Sequence, residues 1–329
     1  YADADSDGYG DPLAPIVGCN PIGAVNNNTD CDDTNDILYP GQILTVGLVG
    51  ADATSIQGAI DAACDVGQIR VFPGNWTESI NYLGKALWIE GIDPDSPPVL
   101  LAPSPPAITA DTNEPAGTGM HNFVVSTPGI SASSGAGARI GIGSQMTFDQ
   151  VVFANNQTVL EGGAVYIDSA TVTFEDCYFE GNSAGVTGGA IYATNSNVLV
   201  VGSDFIANVA GGGGAITADS NSTLTLIGGE FVFNVAATEG AAVAAKDGTT
   251  FSAFGGVYAD SLGNSAIYAG DANAFLSGVE VYDNQLAGVS SLAPLSPSAL
   301  VVVDSFIYGN GGTGIAGTGS QLVLTTITN

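Results

Sequence analysis

The first residues able to do chemistry stand at the very start of the chain, in "YADADSDGYGDP". Asp3, Asp5 and Asp7 alternate, and Gly8 follows the third. Three carboxylates at every second position, closed by a residue that permits a sharp turn, match the first half of a calcium loop. In such a loop positions one, three and five give side chains, position seven (Tyr9) a carbonyl, and position nine (Asp11) a direct or water-mediated ligand. Position twelve, normally Glu, is Ala14, so the set is incomplete. A second acidic run, "NNTDCDDTND", offers Asp30, Asp32, Asp33 and Asp36 to complete it. Oxygen donors and the absence of His from the segment favour calcium over zinc. Cys19 and Cys31 bracket a short polar stretch that needs a staple to fold, which predicts a Cys19–Cys31 disulfide and an oxidising compartment. Together these place a calcium module at the start of the chain, spanning both acidic runs.

Groups suited to acid–base work are scarce. The chain has one His, two Arg and two Lys (His121, Arg70, Arg139, Lys85, Lys246). The nearest approach to a constellation is Asp111, Glu114 and His121, expected on an irregular Pro/Gly-rich loop. No catalytic site is predicted, and the carboxylates Glu175, Asp176, Asp204, Glu230, Asp283 and Asp304 read as outward-facing and solubilising. With 33 acidic against 4 basic residues the formal charge is −29. A field of that sign repels nucleic acid and anionic membranes and attracts cations. No apolar run approaches the roughly 20 residues of a membrane span. The chain opens at Tyr1 without a leader-like segment, which reads as a processed chain or a fragment. Cys64 and Cys177 read as buried small hydrophobes. Asn-x-Ser/Thr triplets at Asn27, Asn75, Asn156 and Asn221 are compatible with glycosylation.

The elements that must position these groups come from a repeat. An aromatic recurs at Phe153, Phe179, Phe205 and Phe231, and an Asn three places later at Asn156, Asn182, Asn208 and Asn234. A Gly-Ala-aliphatic column runs through Ala164, Ala190, Ala215 and Ala242; Tyr258, Asn284 and Asn310 continue the pattern more loosely. Segments such as "VTFEDCYF" and "LTLIGGEF" alternate apolar and polar residues, the strand period of two. Short strands broken by Gly and Asn corners, with no room for a helix per unit, predict an all-β parallel β-solenoid. The aromatics would fill its interior and the Asn would form a hydrogen-bonded ladder at a bend, where Asn tolerates left-handed backbone. An antiparallel sandwich would instead need hairpin turns between strands. Upstream, Ile56, Ala59, Ile60 and Ala63 share one helical face, with Thr54 or Ser55 as N-cap and Gly67 as terminator, which predicts a helix over about 54–66. Residues 42–70 thus read as linker plus capping helix, and 70–329 as the β-helix.

"FEGNSAGVTGGAIY" resembles the Phe-x-x-Asn and Gly-Gly-Ala-Ile repeats of polymorphic outer-membrane proteins, surface adhesins and autotransporter passengers with right-handed β-helices. "SIQGAIDAACDVGQIRVFPGNWTESINYLGKALWIEG" is similar to the opening of pectate-lyase-like β-helices, where a helix caps the first coil. Residues 1–41 resemble thrombospondin type 3 repeats and, more closely, acidic metal-binding modules of secreted bacterial proteins. These resemblances imply a secreted or cell-surface structural or adhesive β-helix stabilised by calcium, binding surface glycans or proteins. "SQLVLTTITN" begins another coil and shows no cap, which reads either as a piece of a longer passenger or as an end that stacks on another subunit into a filament. A polysaccharide lyase or hydrolase is the alternative.

Overall fold

The computed structural model describes residues 1–17, 21–292, 298–318 and 321–328. The chain winds into coils whose strands join three sheets, of 19, 10 and 5 strands. Successive coils pair in parallel from Gln42–Val46 at the start to Gln321–Thr328 at the end. No hairpin is needed between them, so the sandwich alternative falls and the parallel β-helix stands.

Stacking of like on like is visible in the register. Phe153, Phe179, Phe205, Phe231 and Tyr258 occupy one column, and all are fully buried. Ring centroids along it lie 5.1, 4.5, 4.6 and 4.9 Å apart, with near-parallel planes. Each ring contributes about 2–3 kcal/mol of burial, and stacking adds roughly 0.5–1.5 kcal/mol per pair.

The Asn column forms the predicted ladder. The backbone N–H and the side-chain amide of Asn156 both donate to Asn182 Oδ1 at 3.0 Å; Asn182 does the same to Asn208, and Asn208 to Asn234. Each amide also donates to a backbone carbonyl of the preceding coil, Asn182 to Phe153 and Asn208 to Phe179. The left-handed backbone, however, does not fall on the ladder residues. It falls on the residue just before each: Asn155, Gly181, Ala207, Phe233, Asp260, Asp283 and Gly309 all have φ between 50° and 66°. The strain of the corner is taken one residue early, freeing the Asn side chain to reach inward. Ser261 replaces Asn in one coil, and the ladder resumes through Asn284 to Asn310.

The cap helix is shorter than predicted, Ile56–Ala62. Ser55 is its N-cap, its Oγ accepting from Gly58 N. Glu78 accepts from the Ile56 and Gln57 amides, both at 2.9 Å. Gly67 does not end the helix; it lies in the strand Val66–Val71. Lys85 replaces it in that role, its Nζ donating to the carbonyls of Ile60, Asp61 and Ala63. Charged partners at both ends satisfy groups that so short a helix leaves orphaned. Residues 42–46 are likewise strand, not linker: they are the first rung, paired with Val66–Val71.

Glu114, expected beside His121 on a loop, is fully buried. Its carboxylate accepts from Gly84 N, Thr112 N, Thr112 Oγ1 and Ser144 Oγ. Burial pushes that carboxyl up, and the hydrogen bonds outweigh burial, holding it below the ordinary value. Glu114 is structural mortar between coils.

Candidate metal centre

The acidic module folds back on itself through few bonds. Tyr1 and Val25 exchange backbone hydrogen bonds, Asp3 N donates to Gly23 O, and Asp30 N donates to Gly10 O. Asn27 clasps the tight turn by accepting from Gly10 N and donating to Gly8 O. Tyr9 stacks on Tyr39 at 5.4 Å. Gly8, at φ 93°, takes the turn that the Asp-Gly spacing predicted.

This folding brings together five of the nine predicted ligands. Oxygens of Asp3, Asp5 and Asp33 lie within 4.8 Å of one another, and so do those of Asp5, Asp7 and Asp30. Asp11, Asp32 and Asp36 lie outside both groups. Asp11 accepts from Leu13 N, Asp32 holds Thr34, and Asp36 is exposed. Asp3 Oδ1, Asp5 Oδ2, Asp7 Oδ2 and Asp30 Oδ2 are buried without a hydrogen-bond partner. Burial pushes the carboxyls of Asp7 and Asp30 up, and repulsion from neighbouring carboxylates adds to it. Bare, mutually repelling carboxylate oxygens facing one another are what a hard cation satisfies, and no His or free thiol competes in either group. The residues fit calcium.

The disulfide differs from expectation. Cys31 bonds Cys64, with Cα atoms 5.7 Å apart, so the Cys19–Cys31 pairing is wrong and Cys64 is not a free hydrophobe. Cys19 itself lies outside the described residues. The bond links the residue after Asp30 to the end of the cap helix, where Ala63 is the C-cap. It therefore staples the module to the first coil instead of closing a loop within it. Cys177 is the buried free thiol expected, pushed up to about 12 by burial. Of the glycosylation triplets, Asn156 is fully buried in the ladder, whereas Asn75 and Asn221 are exposed.

One grouping escaped the sequence. Strand register places Thr45, Arg70, Glu90, His121, Asp149 and Glu175 in a single outward file. Arg70 lies 3.7 Å from Glu90, and His121 Nδ1 lies 2.9 Å from Asp149 Oδ2. A shallow groove of about 450 Å³ adjoins the disulfide and Asp30, and another of about 360 Å³ is lined by Thr45, Arg70, Phe72, Glu90 and Ile92.

With this geometry in view, residues 176–194 match the Chlamydia polymorphic membrane protein repeat. The match runs through Phe179, Asn182 and Gly188-Gly189-Ala190-Ile191, one rung of the columns above. No curated protein matches the chain. Among solved structures it is similar to a pectin methylesterase from Aspergillus niger, at 11% identity over 88% of this chain and 87% of that one, TM-score 0.32. It is also similar to the A-module of a mannuronan C-5 epimerase from Azotobacter vinelandii, at 14% identity over 83% and 93%, TM-score 0.31. Likeness at that level carries no functional argument, and the β-helix rests on its own register.

Proposed function

We propose that the chain is a structural or adhesive β-helix of the cell surface, and that calcium bound by its N-terminal module fixes the first coil. The observation that carries this is the gathering of Asp3, Asp5, Asp7, Asp30 and Asp33 into two close groups, in which Asp3, Asp5, Asp7 and Asp30 each have a buried carboxylate oxygen without a hydrogen-bond partner. The repeat match over residues 176–194 and the Cys31–Cys64 bond support a surface location outside a reducing compartment. Adhesion to glycans draws support from exposed Thr171, Asn197, Thr223, Thr250 and Asn273, which line up across successive coils on one face. Coils that stack through parallel ladders also supply the means for end-to-end assembly into filaments.

Calcium titration followed by thermal unfolding tests the central claim. The expected result is a rise in the stability of the module and cap helix, reversed by EDTA; an unchanged profile overturns it. Light scattering on the same samples tests assembly, and particles of constant mass with and without calcium remove the filament. A glycan array tests adhesion.

A second reading rests on the Arg70–Glu90–His121–Asp149 file and its groove. Cation, carboxylate and imidazole in one row on an open sheet suit contact with an acidic polysaccharide. Absence of product and of binding across a panel of uronate polymers sinks that reading.

A further inference from the structure

The outward file that runs through Arg70, Glu90, His121, Asp149 and Glu175 changes character at the next coil. Register carries it on through Val201, Ile227, Phe254, Ser277 and Val303. Titratable side chains give way to apolar ones and a serine. The neighbouring outward row changes with it, through Leu199, Thr225, Ser252, Phe275 and Val301. The third row is that of Asn197, Thr223, Thr250 and Asn273 named above. From the coil of Asn197 to that of Val303 the three rows hold no ionisable group. These side chains alternate with the buried ones and point away from the core, so packing does not require them to be apolar.

The face is open and its hydroxyls are uncommitted. Ile227 is 43% and Phe254 44% exposed, and the Phe254 and Phe275 rings adjoin at 5.7 Å. Contiguous exposed apolar surface of this kind marks a site of interaction. The hydroxyls of Thr223, Thr225, Thr250 and Ser252 have no hydrogen-bond partner among the described residues. Elsewhere on the coils Thr158, Thr187 and Thr249 donate to backbone carbonyls. Apolar groups beside free hydroxyls complement a pyranose, which carries C–H groups on its faces and hydroxyls at its edge.

Charge decides what kind of partner fits. Past the bend, the next outward row carries Asp204, Glu230 and Glu280. Those carboxylates repel an acidic polymer, and equally a second copy of a chain of charge −29. They can still accept hydrogen bonds from sugar hydroxyls.

We infer that the outward face of the coils from Asn197 to Val303 binds an uncharged polysaccharide laid along the helix axis. This deepens the adhesive reading above and rests on it. Coils about 4.8 Å apart are spaced close to the length of one β-linked pyranose, so each coil meets about one sugar. Ile227, Phe254 and Phe275 pack on the sugar faces, and the Thr and Ser hydroxyls meet those of the sugar. The charged file of the earlier coils and this uncharged one thus take different partners on one continuous sheet.

The test is calorimetry of the full chain with soluble cello- and manno-oligosaccharides of increasing length, with polygalacturonate as the charged control. Affinity for one of the uncharged series should rise with length, level off at about five sugars, and be insensitive to salt. Phe254→Ala should weaken binding about tenfold, and Ile227→Glu, which puts a carboxylate into the file, should abolish it. Ile130→Glu, at a position 68% exposed on another sheet, should leave binding unchanged. Binding untouched by Phe254→Ala and Ile227→Glu, in variants with the wild-type circular dichroism spectrum, overturns the inference. Binding of polygalacturonate alone overturns it too and leaves the adhesive reading standing, whereas no bound glycan of any kind removes adhesion to glycans with it. Dimers in sedimentation that Ile227→Glu abolishes, with no oligosaccharide bound, would assign the face to a second copy instead.

Discussion

The module of residues 1–41 and the coils from Gln145 to Asn310 solve the same problem, holding a chain in one shape, by opposite means. The module has eight carboxylates and no Lys, Arg or His, few backbone ladders, and buried oxygens that repel one another. The coils have a buried column of stacked rings and, from Asn156 to Asn234, an amide ladder in which each Asn meets another. With the proposed calcium, one region would depend on what it binds and the other on what it repeats. A structure built on an external ion answers to the solution around it, whereas one built on identical neighbours answers mainly to its own sequence.

The sharpest way to break this contrast is to charge the ladder. Asn182→Asp removes the amide donor to Phe153 O and to Asn208 Oδ1 and puts a carboxylate against both. A loss of about 3–5 kcal/mol is expected, with hydrogen exchange accelerated in the flanking coils and calcium affinity unchanged. Cutting the staple comes next. Cys64→Ser should cost about 2–4 kcal/mol, confined to the module and cap helix in an exchange map, with the coils beyond Gln145 unaffected. Exchange that rises uniformly along the chain would show that the two regions do not behave separately.

Acid sharpens the contrast by sign. Glu114 has a lowered folded pKa, so its contribution is present above its unfolded value near 4.5 and is lost as pH falls through the folded one. The stability gap between wild type and Glu114→Gln should therefore be full at neutral pH and close in acid. Asp30 has a raised folded pKa without metal. Its contribution is present below the unfolded value near 3.8 and is lost as pH rises through the folded one. In EDTA, Asp30→Asn should thus stabilise the module at neutral pH, and the gain should vanish in acid; in calcium the same change should destabilise. Thermal melts over a pH series read both. The smallest effect is in the ring column. Tyr258 carries a buried hydroxyl with no partner, so Tyr258→Phe should gain about 1 kcal/mol, read as a rise in melting temperature.

Legibility in the sequence followed the same division. The Phe and Asn columns were readable because their residues recur at a constant step of 26, and the register confirms each pair. The charged file was not readable, because its members sit at 70, 90, 121, 149 and 175, where coils differ in length and no fixed offset aligns them. His121 was therefore grouped with Asp111 and Glu114, although it touches Asp149. That the first run of aspartates would gather was legible from alternation and Gly8, but not which of the second run would join them: Asp30 and Asp33 lie with them, while Asp32 caps its own turn. The partner of Cys31 was hidden for a similar reason, since Cys64 comes near only after the first strand and the cap helix have folded. The shorter helix reflects Lys85, whose reach to three carbonyls cannot be seen in local propensity.

Each rung of the amide ladder binds its neighbours with the same atoms at the same spacing, from Asn156 to Asn234. A coil excised between equivalent corners, or one copied and inserted, would leave the junction chemically indistinguishable from its surroundings. The number of such turns therefore sets the length of the β-helix without requiring any new kind of contact.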